Sequence, residues 1–212
     1  MAIFSIRGYT YDSSMSEREG ERMQIERDRT ALIVIDAIDA IEDGGSHEDR
    51  VYDPDNTMGA YRRNVGIVVD LCHAAGIPVL FLNDQHIPGI DHELELWGEH
   101  GIKDRMAIFP EVEVWDSDLI IPKRRYSGFF QTDLDLTLRE MGVDTLIAVG
   151  ADTNICVLHT LADAYFNTYK TIVVEDATTT FLCGTQEAGI EHFVKCYGSS
   201  IVSVEELKSS LA

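Results

Sequence analysis

Short runs of consecutive apolar residues, separated by segments with helical periodicity, constrain this fold more than any other feature. Each run is far shorter than a membrane helix and shows no apolar–polar alternation, so each is predicted to be a strand buried on both faces. The runs lie at 31–35, 78–82, 118–121, 145–149 and 171–174, with a shorter one at 201–202. The segments between them predict helices at 61–75, 132–141, 154–166 and 186–197.

Strands that alternate with helices predict an α/β fold, a three-layer sandwich whose mostly parallel six-stranded sheet carries helices on both faces. We expect one such domain over residues 30–212, since a chain of 212 residues can bury one sizeable core. Residues 1–29 are predicted to be an N-terminal extension. Ligands of parallel sheets bind beyond the carboxyl ends of the strands, so the chemistry is expected just after each run.

The charge balance excludes one class of partner. The chain has 37 acidic and 17 basic residues, a net charge of −20. The electrostatic field of this negative charge repels phosphate backbones, so we expect no nucleic-acid partner. Both a halophilic source and an ordinary acidic enzyme fit this charge balance. No run approaches the ~20 residues of a membrane helix, so we expect no membrane partner. No secretory leader is recognisable and the four cysteines form no paired motif, which favours a cytoplasmic location.

Three polar side chains that follow different runs form a candidate reaction centre. Cys156 lies in a strand-to-helix turn that Thr153 or Asn154 can cap, and the positive end of a helix stabilises a thiolate. Asp36 ends the first run, where it either caps a loop or acts as a general base. Lys123 follows the third run, either as a surface residue or as a partner of Asp36 that lowers the pKa of the thiol.

The order of these residues resembles the isochorismatase-like cysteine hydrolase superfamily, which includes nicotinamidases, N-carbamoyl amidohydrolases and ureidoacrylate amidohydrolases. Between about residues 30 and 203, the matching segments are 31–36, 123–129 (Lys-Arg-Arg-Tyr-Ser-Gly-Phe), 150–157 (Gly-Ala-Asp-Thr-Asn-Ile-Cys-Val) and 173–177 (Val-Val-Glu-Asp-Ala). The resemblance implies a Rossmann-like fold and a catalytic triad of Asp36, Lys123 and Cys156. It also implies a cis peptide bond between Ala151 and Asp152 and an oxyanion hole built from the N–H groups of Asp152 and Cys156.

The resemblance implies an activity as well. Asp36 would take the thiol proton, Cys156 would attack an amide carbonyl, and water would hydrolyse the thioester. We expect a nicotinamidase-like amidohydrolase that cleaves a C–N bond of a small amide and assembles as a dimer or tetramer. A metal-independent ureide or N-carbamoyl amidohydrolase and a catalytically idle binding module are the alternatives. The isochorismate-cleaving branch has no cysteine nucleophile, so Cys156 argues against it.

A metal site is also implied. In nicotinamidases an Asp-x-His pair and a later His hold a divalent metal, and Asp84, His86 and His100 match these positions in order. Such donors suit Zn, Fe or Mn. The alternative is that both histidines are hydrogen-bonding loop residues of a metal-free hydrolase. His92 and Glu93 are further candidates for substrate contact in the same loop.

The remaining candidates have structural explanations beside functional ones. Trp97 and Phe129 are expected to line the pocket or to cover core, and His159 to pack beneath the loop. The first motif departs from that of many relatives, because Ile38 and Ala40 replace a glutamine and an acid and change the pocket wall. Buried packing is the expected role of the other cysteines, Cys72, Cys183 and Cys196.

Overall fold

Each predicted apolar run overlaps a strand of one parallel sheet in the computed structural model, which describes residues 5–6, 9–10, 25–40 and 57–212. The strands of these residues are β1 (Ser5–Ile6), β2 (Tyr9–Thr10), β3 (Thr30–Ile35), β4 (Ile38–Ala40), β5 (Val79–Asp84), β6 (Met106–Ile108), β7 (Leu119–Lys123), β8 (Thr145–Ala151), β9 (Lys170–Thr179) and β10 (Ser200–Val202). The main sheet has the order β10-β9-β8-β3-β5-β7 with every neighbouring pair parallel, which confirms the predicted α/β fold. β1–β2 and β4–β6 are separate antiparallel pairs.

Helices cover both faces of the sheet. They are α1 (Thr57–Ala75), α2 (Glu93–Trp97), α3 (Leu134–Glu140), α4 (Leu158–Phe166), α5 (Gln186–His192) and α6 (Val204–Leu211), with π-helical turns at Thr153–Val157 and Phe193–Tyr197 and a 3-10 turn at Arg27–Arg29. None of these helices is long and apolar enough to cross a bilayer.

The continuous apolar runs reflect two cores, one on each side of the sheet. Leu32 and Val34 of β3 pack in a cluster with residues of α1 and α6. Ile33 and Ile35 pack on the opposite side with residues of α3 and α4. Successive side chains of a strand point to opposite faces, so a strand covered on both faces must be apolar at every position.

The structure departs from the predicted elements in several places. The C-terminal helix α6 was not predicted, although Ser203 and Glu206 form the reciprocal capping box that marks a helix start. The predicted helix at 154–166 begins as a π-helical turn, and the predicted helix at 186–197 ends as one. Cys72 is buried as expected, but the prediction for Cys183 and Cys196 is wrong, since both are exposed. Of residues 1–29, only 5–6, 9–10 and 25–29 are among the described residues.

Candidate active site

Four polar side chains meet at the carboxyl edge of the strands β8, β3, β5 and β7. Asp36 directly follows β3, Asp84 ends β5, and Lys123 ends β7 in register with Asp84. Cys156 lies in the π-helical turn that follows β8. Since parallel strands all end at the same edge, residues far apart in sequence converge there.

Lys123 connects this group. Its Nζ lies 2.7 Å from Oδ2 of Asp36, 2.5 Å from Oδ1 of Asp84 and 3.6 Å from Sγ of Cys156. The strand β5 separates β7 from β3, so the side chain crosses a distance of two inter-strand spacings, roughly 4.8 Å each. A long aliphatic stem that ends in one charged nitrogen suits this path through a buried site, and Lys123 is 1% exposed.

Asp36 has an unusual backbone conformation at the end of β3. Its φ is +51°, in the left-handed region that aspartate tolerates better than most residues. The carboxylate is fixed at both oxygens, because Oδ1 accepts a hydrogen bond of 2.9 Å from the backbone N–H of Asp84 while Oδ2 faces Lys123. The backbone therefore turns away from the sheet while the side chain stays at the site.

The two carboxylates differ in proton affinity because of their surroundings. Burial raises the pKa of Asp36 to about 6, the negative charge of Asp84 adds to this shift, and Lys123 opposes it. Burial acts on Asp84 in the same direction, but Lys123 and His86 outweigh it and lower its pKa to about 2. Asp36 is thus the carboxylate whose pKa lies near neutral pH, where a general base is most effective.

The surroundings of Cys156 favour the protonated thiol. Burial raises its pKa well above the usual value, and the opposing charge of Lys123 does not compensate for burial and the nearby carboxylates. Lys123 lowers this pKa as predicted, but the prediction that the helix end and Lys123 lower it overall is wrong. Burial also disfavours the charge on Lys123, but Asp36 and Asp84 outweigh it and hold the lysine pKa well above its usual value.

Asp152 organises the turn that carries the cysteine. The peptide bond between Ala151 and Asp152 is cis. Asp152, rather than Thr153 or Asn154, caps the turn, since its Oδ1 accepts from the N–H of Asn154 at 2.9 Å. The same carboxylate accepts hydrogen bonds of 2.8–2.9 Å from the segment after β9, at Thr180 Oγ1, Phe181 N and Leu182 N. Side-chain bonds thus join the turn that carries Cys156 to that segment.

A second cluster lies beside Asp84. Its Oδ2 is 3.5 Å from Nε2 of His86, and the rings of His86 and His100 are 4.8 Å apart. One atom from each of the three residues lies within 4.8 Å of the others, and neither ring nitrogen of the buried His86 has a hydrogen-bond partner among the described residues. One carboxylate and two imidazoles therefore fit a divalent cation such as Zn, Fe or Mn.

Glu93 makes this cluster more acidic than predicted. Its carboxylate is buried and lies 3.6 Å from Nε2 of His86. Burial lowers the pKa of His86, but Asp84 and Glu93 outweigh it and raise that pKa. His92 is exposed and belongs to no such cluster among the residues described. Of the two extra candidates in this loop, the structure therefore brings Glu93 to the site.

The two predicted aromatic residues lie in different surroundings. Trp97 is partly exposed and donates from Nε1 to the hydroxyl of Tyr126 at 2.8 Å, and Tyr126 in turn lies against the ring of His159. Phe129 packs on Tyr169 at the border of the core on the α3 and α4 side. Phe129 therefore covers core, whereas a pocket role for Trp97 stays a prediction.

Sequence reasoning missed two roles in this site. It treated Asp84 only as a metal ligand, although Asp84 also binds Lys123; the signal was its position at the end of the strand between those of Asp36 and Lys123. It also passed over Asp91, which is buried and bonded to Arg124. A run of charged residues in a loop gives no indication of which one is buried.

Comparisons with known proteins agree on the family to which this chain is similar. The family model described as the isochorismatase domain matches residues 30–206. The ureidoacrylate amidohydrolase RutB of Pantoea ananatis is 31% identical over 172 residues, covering 71% of this chain and 69% of that protein. Among solved structures, N-carbamoylsarcosine amidase from Thermoplasma acidophilum is 31% identical with a TM-score of 0.70, covering 84% of this chain and 97% of that one. The pyrazinamidase/nicotinamidase of Streptococcus mutans is 28% identical with a TM-score of 0.66, covering 82% and 99%.

Proposed function

The chain belongs to the isochorismatase family, and we propose that it is an amidohydrolase that cleaves a C–N bond of a small ureide with Cys156 as the nucleophile. One observation carries this proposal: the ammonium group of Lys123 lies within 3.6 Å of the Cys156 thiol and between two carboxylates. This arrangement supplies a nucleophile, a base and a fixed positive charge at one point.

The proposed reaction starts from the neutral thiol. Asp36 accepts the proton of Cys156, and the thiolate, stabilised by Lys123, attacks the carbonyl carbon of the substrate. The C–N bond breaks as Asp36 returns the proton to the leaving nitrogen, which leaves a carbonyl group bound to sulfur. Water then attacks this carbonyl while Asp36 accepts its proton, and the proton passes to the departing sulfur. Backbone N–H groups of Asp152 and Cys156 are the proposed donors to the oxyanion.

The polarity of the neighbouring cluster supports a ureide. A ureido group carries N–H donors on one or both sides of its carbonyl, and Asp84 and Glu93 offer buried carboxylate acceptors beside the reaction centre. A pyridine ring would instead present a nitrogen acceptor that needs a donor or a metal. The relatives named ureidoacrylate amidohydrolase and N-carbamoylsarcosine amidase support the same choice.

A nicotinamidase-type activity is the second candidate, and the cluster of Asp84, His86 and His100 is the observation that favours it. These three residues would hold a divalent metal ion, which would supply a coordination position for a ring nitrogen of the substrate. In that case Asp84 would use Oδ2 for the metal while Oδ1 stays with Lys123.

Turnover measurements with matched variants test both candidates. Ureidoacrylate, N-carbamoylsarcosine and nicotinamide are incubated with the wild type, Cys156→Ala and the control Cys196→Ser, each with and without a chelator. Ureide turnover that is lost only in Cys156→Ala and persists with chelator is expected. Nicotinamide turnover that needs the metal would favour the second candidate, and a wild type inactive on every substrate would contradict both. The dimer or tetramer stays a prediction, which sedimentation tests.

A further inference from the structure

The loop that follows β5 is held in place by a buried carboxylate outside the proposed triad. Asp91 is 3% exposed, and it lies between His86 and Glu93, the loop residues nearest the reaction centre. A charged group this deeply buried is costly unless several donors compensate it. The contacts of Asp91 explain how its buried charge is compensated.

Two arginines and one backbone group compensate this charge. Arg124 donates from Nε at 3.0–3.1 Å and from Nη2 at 2.6 Å, the two-nitrogen geometry that a lysine cannot reproduce. Arg125 donates from Nη1 at 3.2 Å, and the N–H of Ile87 donates at 2.7 Å. The hydrogen bonds from Arg124 lower the pKa of Asp91, so the carboxylate is ionised across the physiological range.

The position of Arg124 in the chain gives these contacts a functional meaning. Arg124 directly follows Lys123 at the end of β7, so Asp91 ties the loop after β5 to the strand end that carries the proposed catalytic lysine. A second tie is the backbone bond from Gln85 N to Lys123 O at 2.8 Å. Asp91 also contacts His86 of the same loop, since Oδ2 of Asp91 lies 3.9 Å from Nδ1 of His86.

We propose that Asp91 is a positioning residue for catalysis: through Arg124 it holds His86 and Glu93 at the distance from Lys123 and Cys156 that substrate binding requires. This inference rests on the proposed function. Asp36, Lys123 and Cys156 are placed by the strands and the π-helical turn, so they do not depend on Asp91. Loss of Asp91 therefore weakens substrate binding and leaves the chemical step almost unchanged.

The test combines kinetics with a readout that needs no substrate. Asp91→Asn, Arg124→Gln and Arg124→Lys are compared with a control variant, Asp144→Asn. This control breaks the Arg29–Asp144 pair at the amino ends of the strands, on the side of the sheet away from the site. With ureidoacrylate, Asp91→Asn is expected to raise KM between about 10-fold and 100-fold with kcat nearly unchanged, because it removes binding that the ground state and the transition state share equally. Arg124→Gln should behave alike, Arg124→Lys should recover part of the loss, and the control should match the wild type.

Hydrogen exchange in the same variants separates this inference from the proposed function. Asp91→Asn should speed amide exchange in residues 86–100 and leave the strands β3 and β8 protected. Unchanged KM in a folded Asp91→Asn protein, or unchanged protection of 86–100, would overturn the role of Asp91. The wild type could turn over no ureide while residues 86–100 still exchange faster in Asp91→Asn than in the wild type. That result would overturn the proposed function, whereas Asp91 would still order the loop.

Discussion

The Nζ of Lys123 lies 2.7 Å from the carboxylate of Asp36 although the strands that carry them, β7 and β3, are not neighbours. The intervening strand β5 ends in Asp84, which the lysine also binds. The two carboxylates and the thiol are therefore arranged around a single cation. Lysine suits this place because its charge is compact and its three protons can point in different directions.

Replacement of this cation should cost stability in a pH-dependent way. Lys123→Met leaves Asp36 and Asp84 buried without their shared cation, a loss of about 3–5 kcal/mol when both are ionised. The lowered pKa of Asp84 means that its pairing stabilises the fold above its unfolded pKa near 4 and that this contribution fades as pH falls toward about 2. In the variant both carboxyls would take up protons, so urea unfolding should show a larger loss at pH 8 than at pH 5. The exposed Lys208→Met is the control, and equal losses at both pH values would contradict the ion-pair account.

Activity should depend on the ionisation of Asp36. Its pKa is raised to about 6, and it accepts a proton only when ionised, so kcat/KM should fall below pH 6 and level off above it. Asp36→Asn should lower kcat by about 10²–10⁴-fold, the usual contribution of a general base. A pH–rate profile of the wild type with ureidoacrylate measures the first effect. An acid limb centred below pH 4.5 would assign the base to another group.

Alkylation should reach the two exposed cysteines before Cys156. The Cys156 thiol is buried and its pKa lies well above the usual value, so little thiolate exists at neutral pH. Cys183 and Cys196 are exposed and should react first with iodoacetamide at pH 7.5. Peptide mass spectrometry after short pulses measures each site separately. Faster labelling of Cys156 than of the exposed pair would show that the resting thiol is already activated.

Gly101 should tolerate no side chain. Its φ is +51°, and a Cβ there would overlap the side chain of Asp84. Gly101→Ala should therefore displace Asp84 from Lys123 and cost about 1–3 kcal/mol through backbone strain alone. Both the unfolding midpoint and kcat/KM should fall. Gly142→Ala is the matched control, since Gly142 has a similar φ of +72° but open space around it, and it should lower stability only.

The sequence was sufficient to predict the sheet and the residues that meet at its edge. Continuous apolar runs such as 31–35 report burial on both faces, and that property belongs to each strand by itself. Asp36 directly follows such a run, Lys123 lies two residues after another, and Cys156 lies in the strand-to-helix turn after a third. The resemblance to known hydrolases supplied the cis position at Ala151, which no local pattern indicates.

What the sequence did not predict depends on contacts between distant segments. The burial of Glu93 and Asp91, and the exposure of His92 between them, follow from how one loop packs against the end of β7. The pKa of Cys156 depends on desolvation as much as on charge, so a nearby lysine was a misleading guide. Such effects appear only once the strand order is known.

The topology of the sheet has a consequence for how activity returns after unfolding. The proposed nucleophile, base and cation come from three strands, β8, β3 and β7, that are separated by long stretches of chain. Pairings at such sequence separations form late, because the chain must first close large loops. A sheet in which one of these three strands has not yet docked lacks one of the three groups. Turnover should therefore recover only when the last of these three strands has docked. This recovery should lag behind any signal from secondary structure.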